Sequence, residues 1–157
     1  MVFIHGLDSS SKGTKAAWFG RHFPEMVIAD FEGDLSQRMK KLESILAYRQ
    51  NVTLIGSSFG GLMATIFALE NEAAVSRVIL LAPALNFPEF SEYKGRKTAI
   101  PAWLFIGKKD KVTPSDIVIP AARQTFSNLI INESDDDHLL RNTFEKIDWQ
   151  DLLLQDQ

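Results

Sequence analysis

Val52-Thr53-Leu54-Ile55-Gly56-Ser57-Ser58-Phe59-Gly60 is an apolar run that stops at a glycine, shows two hydroxyls, and gives way to a second apolar run from Leu62 to Leu69. The pattern reads as a buried strand, a sharp turn and a buried helix. Gly-x-Ser-x-Gly in that setting is a nucleophile elbow: the turn strains the middle serine, and the flanking glycines let strand and helix approach closely. The register selects Ser58, because Ser57 would be flanked at the same spacing by Ile55 and Phe59, whose side chains would crowd the turn.

Outward from this stretch the chain repeats the same grammar. Met1 to His5, Met26 to Ala29, Val78 to Ala82, Ala102 to Ile106 and Leu129 to Ile131 read as further short buried strands. Helical spacing marks Thr14 to Phe23, Leu35 to Leu46 (opened by an Asp34/Gln37 capping box), Gly60 to Glu70 and Phe144 to Leu154. Thr113-Pro114-Ser115-Asp116 reads as a cap residue, a proline at the first helical position and an acid behind it, with Pro120 expected to break or restart that helix. Residues 83–100 carry Phe87, Phe90 and Tyr93 without a clean period and read as a short excursion on one rim. Six buried strands alternating with helices, none pairing as a hairpin, predict a parallel sheet covered on both faces, with ligand chemistry at the carboxyl ends of the strands.

Three reactive residues fall at such ends: Ser58 after the third strand, Asp110 after the fifth and His138 after the sixth. A serine needs a base to take its proton, and an imidazole needs a carboxylate to fix its tautomer. The competitors for the acid are Asp135, Asp136 and Asp137; the stretch after Val78 to Ala82 offers only Asn86 and then Glu89. Of the other histidines, His22 sits inside a helix and His5 belongs to a His-Gly turn, where an imidazole braces a loop more often than it transfers protons. The Asp-Asp-Asp-His run at 135–138 also has the residue types of a divalent-metal site, though a solvated acidic loop is the plainer reading. Carboxylates beside His138 would favour its protonated form.

With His5-Gly6, Gly56-Ser57-Ser58-Phe59-Gly60, the Gly107-to-Pro114 stretch around Asp110, and His138 in this order, the chain resembles a compact α/β-hydrolase over essentially its whole length. The resemblance implies a three-layer α/β fold with a trimmed six-stranded parallel sheet, a single domain over 1–157, and a minimal cap segment at about 83–100. It implies catalysis by Ser58, Asp110 and His138, with the backbone N–H groups of Leu7 and Phe59 as the oxyanion hole. A narrower likeness, to nearly lidless bacterial esterase-like members, rests on His5-Gly6-Leu7-Asp8-Ser9-Ser10. The expected activity is that of a serine hydrolase, carboxylesterase-like, acting on a small acyl compound at an open site that prefers short acyl groups. Thioester, amide or carbon–carbon cleavage, or a binding module that keeps the fold without the chemistry, remain open readings. Phe87, Phe90 and Tyr93 either line an acyl pocket or anchor the rim to the core.

Composition sets the outer bounds. The 157 residues suffice to bury roughly two-thirds of the unfolded surface in one domain. A net charge of -3 offers no basic footprint for nucleic acid. The lack of cysteine excludes disulfides, thiolate metal sites and a cysteine nucleophile. No apolar run approaches the ~18 residues of a membrane span, and Met-Val-Phe-Ile-His-Gly carries no leader-like charge, so the expectation is cytoplasmic, with no cofactor, no metal and no membrane partner.

Overall fold

The computed structural model describes residues 1–154. Strands β1 (Val2–Ile4), β2 (Val27–Ile28), β3 (Val52–Ser57), β4 (Val75–Leu81), β5 (Ala102–Gly107) and β6 (Leu129–Ser134) form one sheet in the order β2-β1-β3-β4-β5-β6. Every neighbouring pair is parallel. Parallel pairing requires a crossover between successive strands, and α1 (Thr14–His22), α2 (Leu35–Leu46), α3 (Phe59–Glu70) and α4 (Ser115–Thr125) lie in four of these connections. The β4–β5 connection instead contains a 3-10 turn, Pro88–Tyr93, and α5 (Trp149–Leu154) closes the described chain.

The two faces of the sheet follow from side-chain alternation. Val2, Ile4, Leu54, Val78, Leu80, Leu104 and Ile106 point to one side, where α2, α3 and α4 pack with Met39, Leu42, Leu62, Ile66 and Val118. Phe3, Ile55, Ile79, Leu81 and Phe105 point to the other, where α1 and α5 supply Phe19, Trp149 and Leu153. Each such aliphatic or aromatic side chain contributes about 1.5–3 kcal/mol by leaving water. The helix α3, apolar nearly all round, is buried from Phe59 through Ala68.

Strand order reverses between β1 and β3: from β1 the chain steps outward to β2, then crosses back to β3 and continues the other way. The crevice left at that switch point, beyond the carboxyl ends, is where such sheets bind ligands. The loop after β1 and the turn after β3 both open into it.

Several local expectations need correction. Phe144 to Leu154 is not one helix: a 3-10 turn, Phe144–Lys146, precedes α5, because Asp148 accepts the Asp151 N–H at 3.0 Å and so caps a new helix start. Both Phe144 and Trp149 thereby reach the aromatic cluster around Trp18 and Phe19. Pro120 does not break α4, since it is exposed and the carbonyl it leaves unpaired, that of Asp116, also lies on an exposed residue. Pro114 takes the N-cap position of α4, one residue later than expected, and makes no side-chain cap. β4 begins three residues early at Val75. β6 is an edge strand rather than a buried one, with Ile130 51% exposed.

Candidate active site

The elbow is built by steric necessity. Ser58 has φ 55° and ψ −117°, a region an L-residue occupies at a cost of about 1–3 kcal/mol unless its surroundings hold it there. They do: its N–H donates to Leu81 O at 2.9 Å, and its carbonyl accepts from the N–H groups of Gly61, Leu62 and Ala84. A Cβ on Gly60 would stand 2.0 Å from Ile4 O, and one on Gly56 2.3 Å from Gly60 O, so both motif glycines are demanded by contact rather than by dihedral freedom.

Three chain segments then converge on Ser58. His138, in the loop after β6, places Nε2 3.0 Å from Ser58 Oγ. Its Nδ1 lies 2.7 Å from Asp110 Oδ2. A carboxylate only accepts, so Nδ1 carries the proton and Nε2 is left to accept from the serine hydroxyl. Asp110, whose side chain is fully buried, is held by four donors: the Val112 and Thr113 N–H groups on Oδ1, and His138 Nδ1 and the Thr113 hydroxyl on Oδ2. The structure thus brings Ser58, His138 and Asp110 together in one hydrogen-bonded line.

The first loop completes the crevice. Phe31 N–H donates to His5 Nε2 at 2.9 Å, which puts the His5 proton on Nδ1, 2.7 Å from Gly6 O; His5 braces the loop and stays clear of Ser58 Oγ. Asp30 accepts from both the N–H and the hydroxyl of Ser11, at 2.6 and 3.0 Å, and pins the loop from the other side. Those two bonds, backbone first, hold the Asp30 carboxyl below its ordinary range. Among the described residues, neither Leu7 N–H nor Phe59 N–H donates to a backbone carbonyl outside the regular elements. Phe59 is also the first residue of α3, where the helix dipole favours negative charge.

The resulting cleft, of about 300 Å³, runs between Ser58 and His138 on its floor and Leu7, Lys15, Phe87, Val112 and Leu139 on its walls. Of the three rim aromatics only Phe87 reaches it. Phe90 is buried in the core and stacks on Tyr93 at 6.4 Å, and Tyr93 reaches Glu70 with its hydroxyl; these two anchor the rim segment. His22 stacks on Trp18 at the surface, 4.0 Å between centroids, away from the site.

The acidic run resolves into three separate tasks. Asp135 pairs with Lys109 at the surface. Asp136 turns inward and accepts from the N–H groups of Asp137 and Asn142 and the Thr143 hydroxyl; burial alone would raise its pKa, but those donors outweigh it and leave the carboxyl below its ordinary range. Asp137 accepts from Leu139 N–H and faces Arg141. No group of three or more His, Asp or Glu among the described residues converges as a metal would require. Nor is any described helix long and apolar enough to cross a membrane.

Two residues of the site escape a reading of the sequence. Thr113 looks like a helix cap, yet its hydroxyl supports Asp110; the Asp-x-x-Thr spacing is the only hint. Lys15, in the first turn of α1, looks like a solvated helix lysine but lies on the cleft wall and donates to Leu139 O at 2.7 Å.

Solved structures share this architecture across most of the chain. Mouse alpha/beta hydrolase domain-containing protein 10 superposes with a TM-score of 0.74 at 18% identity, over 89% of this chain and 82% of its own. Est1E from Butyrivibrio proteoclasticus, in its complex with ferulic acid, gives 0.76 at 15% identity over 87% and 80%. An alpha-beta serine hydrolase homologue from Coxiella burnetii gives 0.74 at 16% over 92% and 79%. The protein therefore has the α/β-hydrolase fold. No curated protein matches it by sequence. Residues 1–101 match the uncharacterised protein family UPF0227, and the chain belongs to that family.

Proposed function

We propose that the protein is a serine hydrolase that cleaves a small carboxylic ester, with Ser58 as nucleophile, His138 as general base and acid, and Asp110 as the group that orients His138. The single observation that carries this reading is the unbroken relay of 3.0 Å from Ser58 Oγ to His138 Nε2 and 2.7 Å from His138 Nδ1 to a buried Asp110. In the reaction Ser58 Oγ bonds to the acyl carbon as its proton passes to His138 Nε2, and the carbonyl oxygen takes the negative charge between the N–H groups of Phe59 and Leu7. Collapse breaks the ester C–O bond, and the departing alcohol leaves with the proton from His138. Water then repeats the sequence on the acyl-enzyme and frees Ser58 with a carboxylic acid. Losing one oxyanion donor typically costs a factor of about 100 to 1,000 in turnover.

The fold comparisons support a hydrolase, and proteins of similar fold include Est1E, solved with ferulic acid bound, and a protein named as a monoacylglycerol lipase. An ester is favoured over an amide here because its carbonyl lacks the amide's nitrogen resonance and is the more electrophilic, and because an alkoxy oxygen leaves far more readily than an amide anion. The decisive experiment treats the purified protein with a fluorophosphonate probe beside Ser58→Ala. Labelling of the parent alone, together with hydrolysis of nitrophenyl esters, is the expected result. A folded parent that neither labels nor turns over any ester would leave only a binding module built on this fold.

A further inference from the structure

Within the cleft stands a lysine that the triad does not use. Lys15 projects from the start of α1 along the cleft wall, with its Nζ 5.6 Å from the centre of the Phe144 ring and 2.7 Å from Leu139 O, one residue past His138. An ammonium has three N–H donors, so two remain after the bond to Leu139. No carboxylate of a described residue pairs with it. The two acids that act on it through space, Asp137 and Asp136, spend their oxygens on the N–H groups of Leu139, Asp137 and Asn142 and on the Thr143 hydroxyl. The one acid on the cleft wall, Asp8, is exposed, so water screens its charge. Burial pulls the Lys15 pKa down, with the charges of Asp137 and Asp136 opposing.

A half-buried ammonium that no described carboxylate pairs with, on the wall of the cleft that holds Ser58, is a place an anion would complete. We propose that Lys15 binds a carboxylate carried by the substrate that Ser58 attacks, so that the preferred ester is a negatively charged one. The two free N–H donors suit a single carboxylate, and the surrounding Leu7, Phe87, Val112 and Leu139 suit the apolar remainder of such a molecule. This rests on the hydrolase reading above and narrows its substrate class.

The test compares kcat/KM for two matched pairs. In the first the charge sits on the acyl part, mono(4-nitrophenyl) adipate against 4-nitrophenyl hexanoate. In the second it sits on the leaving group, 4-(butanoyloxy)benzoate against the corresponding benzamide. A hydrogen bond between charged groups is worth roughly a tenfold to hundredfold preference, and at least one charged member should show it, mainly through KM. Lys15→Met should abolish the preference and Lys15→Arg should keep it. The ratio is the readout, so a general loss of activity cancels. Ratios near one in both pairs, with the neutral esters turned over, would overturn the proposal and leave the hydrolase standing. So would Lys15→Met slowing both members equally, which would make Lys15 a tether for the His138 loop. Failure to turn over any of the four, with Ser58 unlabelled, would sink both readings together.

Discussion

The Thr113 hydroxyl lies 2.7 Å from Asp110 Oδ2, the same oxygen that faces His138. Thr113 is fully buried, and its hydroxyl also sits 3.2 Å from Ala82 O and 3.1 Å from His138 Nδ1. It has one proton to give, and a carboxylate is the stronger acceptor, so the hydroxyl works chiefly as a support that keeps Asp110 aimed at His138.

Thr113→Val keeps the side-chain shape and removes that donor. The loss of a hydrogen bond to a buried charge costs about 1.5–3 kcal/mol. Thermal denaturation should show Tm lowered by several degrees, and kcat/KM on a nitrophenyl ester should fall roughly tenfold or more. Thr113→Ser should restore most of both. Full activity in Thr113→Val would mean that the two backbone N–H groups on Oδ1 suffice to place Asp110.

How far the sequence announces such features depends on whether a local rule or a tertiary one decides them. The strand–elbow–helix at Val52 to Leu69 was legible because the apolar runs and the glycine spacing, which picks Ser58 over Ser57, point the same way. Ser58, Asp110 and His138 could be picked because each follows a strand, and parallel strands present their carboxyl ends on one edge. The Asp34/Gln37 capping box was equally local, and both of its bonds are present. Thr113 was misread because Thr-Pro-Ser-Asp is also a good helix start, and only the approach of Asp110 pulls the hydroxyl away. Phe90 and Tyr93 follow no period, so nothing in the sequence says whether they turn to the core or to the cleft. Lys15 resembles any helix lysine until the His138 loop, more than a hundred residues later, is laid over it.

Asp136 ties the His138 loop from inside, and its depressed pKa has a consequence for acid stability. A carboxyl whose folded pKa lies below its unfolded value, about 3.9, stabilises the fold above that value and loses this contribution as pH falls through the folded pKa. Melting temperature should therefore drop as pH is lowered below about 4. Asp136→Asn, which removes the charge and turns one acceptor into a donor facing Thr143 or Asn142, should cost about 1–3 kcal/mol at pH 7 and make the acid limb shallower. An unchanged acid limb in the variant would assign that dependence to other carboxylates, of which Asp30 and Glu72 are likewise depressed by hydrogen bonds.

Asp30 holds the loop that carries Leu7 through both groups of Ser11. Asp30→Ala releases that loop without touching Ser58, His138 or Asp110. Amide exchange over residues 7–13 should become faster, and kcat on nitrophenyl esters should fall roughly tenfold, a part of what full loss of one oxyanion donor costs. Faster exchange with unchanged kcat would show that Leu7 N–H is not an oxyanion donor.

Two glycines that touch the elbow should respond in opposite ways to one methyl group. At Gly60 an alanine Cβ would lie 2.0 Å from the backbone oxygen of Ile4, an overlap that only separation of α3 from β1 can relieve. Gly60→Ala should lose at least about 3 kcal/mol of stability, the upper range for overpacked cores, and yield little folded protein. At Gly6 the same Cβ would lie 3.2 Å from Ser58 Cβ and 3.8 Å from Ser58 Oγ, tight but movable, and Gly6 has no positive φ to forbid a side chain. Gly6→Ala should therefore fold with nearly the parent's Tm while kcat/KM drops roughly tenfold or more, because a nucleophile displaced by even part of an ångström loses its attack geometry. Circular dichroism melts beside ester kinetics separate the two outcomes. A stable, fully active Gly6→Ala would show that the wall of the cleft facing Ser58 has more room than these contacts allow.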